Sequence, residues 1–308
     1  KKEELCCVLY KKGILMPINA PPVFAFHPHV FRTEKGTPYL KEPGIVLLAA
    51  PDVNLTGLQG FLNGFDPELG FAEYLNDSDG LPPAESLLKA AGQLCYMSFG
   101  PKRTKNNQAK KYFDNLKESG HGSVLEHANF TFLFYGISRS LTHELVRHRA
   151  GFGFSQVSQR YVSGKVLRFV ERPEYQADTV LHERFIRWID MAAEEYDLRA
   201  NRLMELQQQG TTIMTAEAKT DLRKKVQQAA RSCLPNEAEA PIVVTANVRA
   251  WRHFSEMRAV GHAETEIRAI AFRAYLCLAL VAPILFDDYK VEELPDGTRG
   301  ISTNWRKV

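Results

Sequence analysis

Apolar residues alternate with other residues most regularly between Ala128 and Tyr135, where three phenylalanines occupy every second position. Alternate side chains of an extended segment point to the same side, so this pattern predicts a strand with one aromatic face. The short apolar run from Gly44 to Ala50 is consistent with a buried strand, and Ile242 to Thr245 is short and β-branched.

Helical spacing of apolar residues dominates the rest of the chain. It predicts helices over about 83–95, 110–118, 138–148, 173–209 in two segments, 215–233, 247–258 and 264–281. Leu94 is expected on the inner side of the first helix. Ser138 and Ser140 are candidate N-caps for the third, which is expected to continue through His148. The Gly- and Ser-rich residues 150–159 are expected to break that helix and form a flexible loop.

The first 43 residues differ from the others because they are rich in proline and lysine. We interpret residues 1–43 as an N-terminal extension and residues 44–308 as a single domain, whose length allows a sizeable core. Residues 60–84 carry Gly, Pro, Asn and Asp and are predicted to form a loop or lid. The predicted elements belong to the α/β (α+β) class, and no strand is followed by the Gly-x-Gly-x-x-Gly motif of a Rossmann site.

Composition and charge narrow the class of protein. Hydrophobic residues make up 44% of the chain, and the net charge of +3 is too small to indicate nucleic-acid binding. No apolar run is long enough to span a bilayer, and no signal-peptide core is present. The five cysteines form no Cys-x-x-Cys pair. We therefore expect a cytoplasmic protein with reduced thiols and no membrane partner.

The densest charged motif is Arg147-His148-Arg149, followed by Ser and Gln side chains within residues 155–159. Arginine forks match phosphate oxygens, while Gly151 and Gly153 allow the backbone to approach a ligand closely. The motif indicates an anion site for a phosphorylated, planar ligand. The alternative is a solvated basic helix end followed by an ordinary polar loop.

A second charged cluster lies in the predicted helix 247–258. Its charged residues recur at three- and four-residue spacings and are expected to share one side: Arg249, Arg252, His253 and Glu256. Its large apolar residues are expected on the core side: Trp251, Phe254 and Met257. The alternative is an exposed helix face with ordinary charge pairs.

Two further features have simple structural explanations. The segment from His121 to His127 contains His and Glu side chains that could suggest a metal site. Because adjacent residues point to different sides and no His-x-x-x-His spacing accompanies them, we expect no metal. Arg231 ends a predicted helix, where a solvated arginine near the negative end of the helix dipole would be ordinary.

The order of these motifs resembles that of the flavin-dependent thymidylate synthases. Their signature is Arg-His-Arg, seven residues and then Ser, which is similar to Arg147 through Arg160 here. Segments 121–128, 138–146 and 247–254 agree with the family in type and order, and the resemblance covers roughly residues 44–292.

The chain departs from the family pattern at one point. Eight residues, not seven, separate Arg149 from Ser158. We interpret the extra residue as an insertion near 151–153, because the Ser-Gln-x-Ser-Gln-Arg sequence that follows is intact. We expect the insertion to alter the local path of this segment and to leave the ligand contacts in place.

The resemblance implies a mixed, largely antiparallel sheet flanked by helices, and active sites shared within a homotetramer. It also implies that dUMP is methylated to dTMP. Methylenetetrahydrofolate would donate the carbon, and FAD reduced by NADPH would donate a hydride. No cysteine nucleophile is needed, and none of the cysteines lies in segments 121–128, 147–160 or 247–258.

The resemblance assigns a role to each matching residue. Contacts to FAD are implied for Ser123, Arg147, His148, Arg149, Gln156, Asn247, Val248, Arg249 and His253. Contacts to dUMP are implied for Glu144, Leu145, Val146, Arg147, Gln156, Val157, Ser158, Gln159, Arg160, Arg231 and Arg258. Arg258 is implied as the catalytic residue, because it would stabilise negative charge on the uracil ring while C5 acts as the nucleophile.

Two other functions compete with this interpretation. Basic runs at 102–105, 110–111 and 223–225 could contact nucleic-acid phosphates, although the near-neutral charge and the lack of a known motif disfavour it. A non-catalytic flavin- or nucleotide-binding homologue is supported only by the eight-residue spacing.

Overall fold

The computed structural model describes residues 24–77, 79–162, 164–209 and 219–305. The strands are β1 Ala25–Phe26, β2 Val30–Arg32, β3 Pro38–Leu40, β4 Gly44–Ala49, β5 Asn129–Tyr135, β6 Phe152–Gln156, β7 Phe169–Val170, β8 Ile242–Asn247, β9 Lys290–Glu293 and β10 Arg299–Ser302. The α-helices are α1 Gln59–Leu62, α2 Pro83–Cys95, α3 Ala109–Glu118, α4 Arg139–Leu145, α5 Pro173–Gln176, α6 Thr179–Gln208, α7 Lys219–Ala230, α8 Val248–Arg258, α9 Thr265–Val281 and α10 Pro283–Phe286.

A five-stranded antiparallel sheet in the order β1-β4-β5-β8-β6 forms the centre of the molecule. Its middle strand is β5, whose inward side chains are Phe130, Phe132 and Phe134. β8 places Ile242, Val244 and Ala246 directly beside them on the same face. The alternation predicted for β5 is confirmed, and the run at 242–245 is the first part of β8.

Helices α8 and α9 cover this aromatic face. The Trp251 ring meets the Phe132 ring edge-on at a centroid distance of 5.1 Å, and its Nε1–H donates to the carbonyl of Phe130 at 3.2 Å. Ile267, Ile270 and other buried residues of α9 extend the same core. The predicted fold class, a sheet that is largely antiparallel and flanked by helices, is confirmed.

Strand β3 organises a smaller sheet, because it pairs antiparallel with β2 and parallel with β7. Strand β1 pairs with β4 of the central sheet, and β9 pairs with β10. Residues 24–43 of the predicted extension therefore contain three strands. One of them, β1, belongs to the central sheet, and β2 and β3 belong to the smaller sheet. The division at residue 43 stays a prediction, since residues 1–23 lie outside the described residues.

Residues 60–84 form short helical turns and not the plain loop that their composition predicts. The turns enclose a small core made by Leu62, Phe71 and Tyr74 with Ala90 and Phe99. Some of the polar residues that predicted a loop instead cap these turns. Asp66, for example, accepts a hydrogen bond from the Glu68 N–H at 2.9 Å.

Helix α4 begins where the sequence predicts and ends earlier. The Ser138 Oγ accepts from the Leu141 N–H at 3.1 Å, which confirms the first of the two candidate N-caps. The helix ends at Leu145 and not at His148. Beyond it, the Phe152 N–H donates to the Arg149 carbonyl at 3.2 Å, and Gly151, with φ of +77°, reverses the chain.

The loop predicted at residues 150–159 is wrong in its first half, because β6 occupies 152–156. β6 pairs with β8 from Phe152 opposite Ala246 to Gln156 opposite Ile242. Its alternating half-buried residues fit an edge strand whose second face stays exposed.

Other predicted helices agree with the structure within a few residues. α2, α3 and α9 match, but Leu94 is 48% exposed because α2 buries the side that carries Leu88 and Gln93. Segment 173–209 is α5 and α6, as predicted. In 215–233, the structure describes α7 and a turn at Arg231–Cys233, and residues 215–218 lie outside the described part. None of the described helices has the length and apolarity needed to cross a bilayer.

Candidate active site

The Arg-His-Arg motif lies in the short connection between α4 and β6. The Arg147 and Arg149 side chains are exposed and make no hydrogen bond or ion pair with any described residue. His148, between them, turns inward against the Phe152 and Phe254 rings, with centroid distances of 6.0 and 5.3 Å. The motif therefore presents two unpaired cations around a half-buried imidazole.

Arg258, the last residue of α8, joins this motif to α4. Its Nε–H donates to His148 Nε2 at 3.0 Å, and its Nη1–H donates to Glu144 Oε2 at 2.9 Å. The second terminal nitrogen of this guanidinium has no hydrogen-bond partner among the described residues. Three predicted site residues from three separate elements thus meet in one cluster.

The environment of His148 keeps its ring neutral. Burial, the positive charge of Arg258 and the nearby His253 ring together lower the pKa of His148 to about 4, and burial has the largest effect. A neutral ring at pH 7 can accept through Nε2 while Nδ1 carries the proton. The hydrogen bond from Arg258 requires this tautomer.

The beginning of α8 holds the second predicted cofactor-binding group. Asn247 ends β8 and caps α8, since its Oδ1 accepts from the Ala250 N–H at 2.9 Å. Arg249 pairs with Glu126 at 2.5 Å, and both side chains are exposed. His253 is exposed one turn further along, with its ring 6.1 Å from that of His148. Val248, in contrast, is fully buried and can offer a ligand only its backbone.

The 3₁₀ turn Gly122–Glu126 lies against this helix end. A Cβ atom at Gly122 would lie 2.7 Å from the Arg249 Nε, so the Arg249 side chain packs directly over the backbone of this turn. Ser123 is exposed beside it. Glu126, which could have suggested a metal ligand, is instead the partner of Arg249. Among the described residues, no three His, Cys, Asp or Glu side chains are grouped as around a metal ion, and the metal-free expectation stays a prediction.

Residues 156–160 extend from the end of β6. The Ser158 Oγ accepts from the Arg160 N–H at 3.3 Å, and the exposed Arg160 guanidinium lies over the Tyr161 ring at 5.2 Å. Val157 and Gln159 face a cleft of 740 Å³ whose lining includes neither His148 nor Arg258. This pentapeptide therefore presents successive side chains in different directions.

No hydrogen bond or ion pair among the described residues joins Arg231 to the Arg258 cluster. It begins the 3₁₀ turn that follows α7 and forms no ion pair with a described residue. The described residues also link Ser123 to this cluster by no hydrogen bond. The structure thus brings together Glu144, His148 and Arg258 by hydrogen bonds, and no hydrogen bond among the described residues joins Arg231 or Ser123 to them.

Arg252 is the clearest correction within the second charged cluster. It is fully buried, and its two terminal nitrogens bond Asp288 at 2.8 and 2.9 Å. Met257, predicted for the core, is 46% exposed. The buried face of α8 follows Val248, Trp251, Arg252 and Ser255. A helical face can include one charged residue when a buried partner satisfies it, and the sequence pattern did not show Asp288 as that partner.

Phe152 and Phe254 are site residues that the role assignment missed. They form the walls against which the His148 ring packs. The signal was present, since Phe152 and Phe154 alternate as in a strand and Phe254 was placed on the core side of α8.

Two of the three described cysteines, Cys233 and Cys277, lack the features of a reactive nucleophile. Burial raises the pKa of Cys277 to about 12, and burial also raises the pKa of Cys233. The Cys233 thiol lies 3.1 Å from the Ala230 carbonyl oxygen. Cys95 is exposed at the end of α2. Neither the Cys233 thiol nor the Cys277 thiol is disposed to form a thiolate at neutral pH.

Comparison with known proteins assigns the family. The model of the thymidylate synthase complementing protein family matches residues 78–284, a range that contains every residue assigned a role above. The UMP/dUMP methylase PolB from Streptomyces cacaoi, solved with 5-Br dUMP, shares the fold. Its TM-score is 0.52 at 19% sequence identity, covering 80% of this chain and 94% of that one.

Two bacterial relatives are much closer in sequence. The flavin-dependent thymidylate synthase of Mycobacterium tuberculosis is 42% identical over 226 residues, which is 73% of this chain and 86% of the relative. That of Mycolicibacterium gilvum is 41% identical over 227 residues with the same coverage. The chain is therefore an enzyme that belongs to the flavin-dependent thymidylate synthase family.

Proposed function

We propose that this enzyme methylates dUMP to dTMP and that its flavin is FAD. The observation that carries the proposal is the Arg258 guanidinium, which Glu144 and His148 hold in place while one terminal nitrogen has no described partner. A fixed donor of this kind suits a ring on which negative charge develops. Such preorganised donors stabilise a transition state by about 2–4 kcal/mol.

The residues at the site fit a dinucleotide with a pyrophosphate. Arg147 and Arg149 are exposed cations without a described counterion, as expected of groups that bind an anion. The helix end at Asn247 and Arg249 adds further donors. His148, His253 and Ser123 complete the set of residues that would hold FAD, together with Gln156 and the backbone of Val248.

We assign the substrate phosphate to arginines outside the Arg258 cluster. Arg160 and Arg231 are not engaged in ion pairs with described residues, and Ser158 presents a hydroxyl nearby in sequence. Residues 144–147 and 156–160 would enclose the nucleotide from two sides. In this arrangement Arg258 faces the uracil ring and stabilises charge at N3 or O4 while C5 attacks the one-carbon unit.

The flavin would supply the hydride that completes the methyl group, with methylenetetrahydrofolate as the carbon donor and NADPH as the reductant. The balanced reaction converts dUMP, methylenetetrahydrofolate and NADPH with a proton to dTMP, tetrahydrofolate and NADP⁺. The raised pKa values of Cys233 and Cys277 support a mechanism without a thiolate nucleophile. Assembly as a homotetramer, a cytoplasmic location and the lack of a nucleic-acid partner complete the proposal.

The test is dTMP formation by the purified protein from dUMP and methylenetetrahydrofolate, with and without NADPH and added FAD. Product that requires both supports the proposal. Product without flavin or NADPH would contradict it. A yellow, FAD-bearing protein that binds dUMP without turnover would indicate the non-catalytic homologue.

A further inference from the structure

His148 contacts the proposed catalytic arginine directly. Its Nε2 lies 3.0 Å from the Arg258 Nε, whereas the exposed Arg147 and Arg149 on either side of it contact no described carboxylate. The middle residue of the motif therefore differs from its neighbours in orientation, burial and partner. A contact to FAD alone would not explain why its ring nitrogen is already occupied.

Side chains of β6 and α8 pack directly around His148. The Phe152 ring of β6 and the Phe254 ring of α8 form its apolar walls. The charged or titratable groups that face it are Arg258 and His253, both from α8, and Glu144 of α4 reaches it through Arg258. Two cationic or potentially cationic neighbours disfavour a charged imidazole, so the ring is held as an acceptor.

The guanidinium of Arg258 is fixed at two points by these contacts. Nε is bound to His148 and Nη1 to Glu144, so rotation about the last side-chain bonds is restricted. Loss of the Nε contact would leave one ion pair, which is 39% exposed at Glu144 and permits several orientations.

We infer that His148 is a positioning residue for Arg258: as a neutral acceptor it fixes the plane of the guanidinium that faces the uracil ring. This inference rests on the proposed function, because it takes dUMP as the ligand. It adds a second role to a residue for which the family resemblance implies only a flavin contact.

Two substitutions at His148 distinguish the effect of its hydrogen-bond acceptor from the effect of its aromatic ring. His148→Gln can place an amide oxygen near the Nε2 position, whereas His148→Phe keeps a ring between Phe152 and Phe254 and removes the acceptor. In the FAD-loaded full chain, we expect His148→Phe to weaken dUMP binding and to lower kcat about tenfold or more, and His148→Gln to stay within about threefold. His262→Gln, at an exposed histidine outside the site, is the matched control.

The competing explanation is a role in flavin binding alone. In that case both variants would weaken FAD binding, measured by flavin fluorescence, and saturating FAD would restore dUMP binding and kcat. That result would overturn the inference. If the effect runs through Arg258, His148→Phe should not change the dUMP dissociation constant further in an Arg258→Ala background, while additive losses would contradict it.

A spectroscopic measurement tests the contact without substrate. In protein labelled with ¹⁵N-histidine, we expect His148 at pH 7 as the neutral Nδ1–H tautomer, assigned by difference from His148→Gln. Its Nε2 resonance should shift in Arg258→Ala. A protonated Nε2 would overturn the inference. A wild-type protein that binds no dUMP would refute the proposed function, yet this measurement would still report on the contact.

Discussion

The arginines of the site differ in whether the protein itself has engaged them. Arg249 and Arg258 have carboxylate partners, while Arg147, Arg149 and Arg231 have none among the described residues. An engaged arginine is oriented before a ligand arrives, whereas an unengaged one has no partner to give up when it binds a phosphate. At the scale of single residues, the protein therefore orients Arg258 itself, whereas Arg147, Arg149 and Arg231 have no described partner to give up to an anion.

Arg258→Ala is expected to lower kcat for dTMP formation by about 10²- to 10³-fold, because it removes the donor that stabilises charge on the uracil ring. FAD should remain bound, since no FAD contact is assigned to Arg258. Steady-state kinetics and the flavin absorption spectrum of the purified variant measure both quantities. Normal turnover would remove Arg258 from its proposed role.

Helix α8 shows what residue spacing could and could not predict. Its bounds and its buried Trp251 and Phe254 follow from the sequence, because apolar residues recur at helical intervals. The burial of Arg252 does not follow from spacing, because it depends on Asp288, which is distant in sequence. The three-residue spacing of two charged residues therefore predicted that Arg249 and Arg252 share an exposed side of the helix. Only tertiary contacts show that Arg252 is buried and Arg249 is exposed.

Strand β6 is a similar case. Two glycines and a serine at 151–155 are typical of a loop, and the pairing that makes this segment a strand is supplied by β8. β-Strand propensity is weak where a neighbouring strand and a half-buried face decide the conformation. The strand conformation at β6 could thus not be predicted from local composition, and the roles of the site residues stay a prediction.

Arg252→Ala and Arg249→Ala should affect different properties: the first should lower stability, and the second should mainly weaken FAD binding. Removing Arg252 leaves the buried Asp288 without its main partner and is expected to lower the free energy of unfolding by about 3–5 kcal/mol. Arg249 and Glu126 form an exposed pair, so Arg249→Ala should cost less than about 1 kcal/mol and mainly weaken FAD binding. Urea unfolding and FAD titration of both variants check this. Equal stability losses would contradict the assignment of the two faces.

The contact between α9 and the start of α4 should make the stability of the protein depend on pH. The buried Glu266 carboxylate accepts from the Ser138 N–H at 2.5 Å and from its Oγ–H at 2.6 Å. Burial nevertheless raises the pKa of Glu266 to about 7 from its usual 4.5. Between these two values the folded state keeps a proton that the unfolded state has lost. Stability should therefore fall as pH rises through this window.

Glu266→Gln should remove this dependence, because the amide does not titrate. We expect the difference in unfolding free energy between pH 5 and pH 8 to become smaller by up to about 3 kcal/mol in the variant. Urea denaturation at both pH values measures it. Glu118→Gln, at an exposed position of α3, serves as the control, and an unchanged pH dependence in Glu266→Gln would refute the role of Glu266.

At the scale of the whole molecule, the contacts within one chain leave the proposed site divided. Hydrogen bonds join Arg258, His148 and Glu144, and none among the described residues joins Arg231 or Ser123 to this group. Strand β6, which leads to the proposed dUMP-binding residues, is an edge of the central sheet. Both features agree with a site completed by another subunit, as the family resemblance implies.

Mixed assembly of two inactive variants tests this arrangement. If Arg258 and Arg231 of one site come from different subunits, then co-refolding or co-expressing Arg258→Ala with Arg231→Ala should restore part of the activity. In a random mixture some sites would receive both intact arginines. Each variant alone should stay inactive. Activity that never exceeds that of the separate variants, in a sample shown by light scattering to contain mixed oligomers, would contradict a shared site.

The direct passage from β8 to α8 has a consequence for how this family can vary. Asn247 ends the strand and caps the helix, so no spacer separates them. Each inserted residue would rotate the helix by about 100° relative to the sheet. Arg249 and His253 would then turn away from the site, and Arg252 would leave Asp288. We expect lineages to tolerate length changes at the turn before β6 and to tolerate none at this junction, because the junction sets the rotation of α8 relative to the sheet.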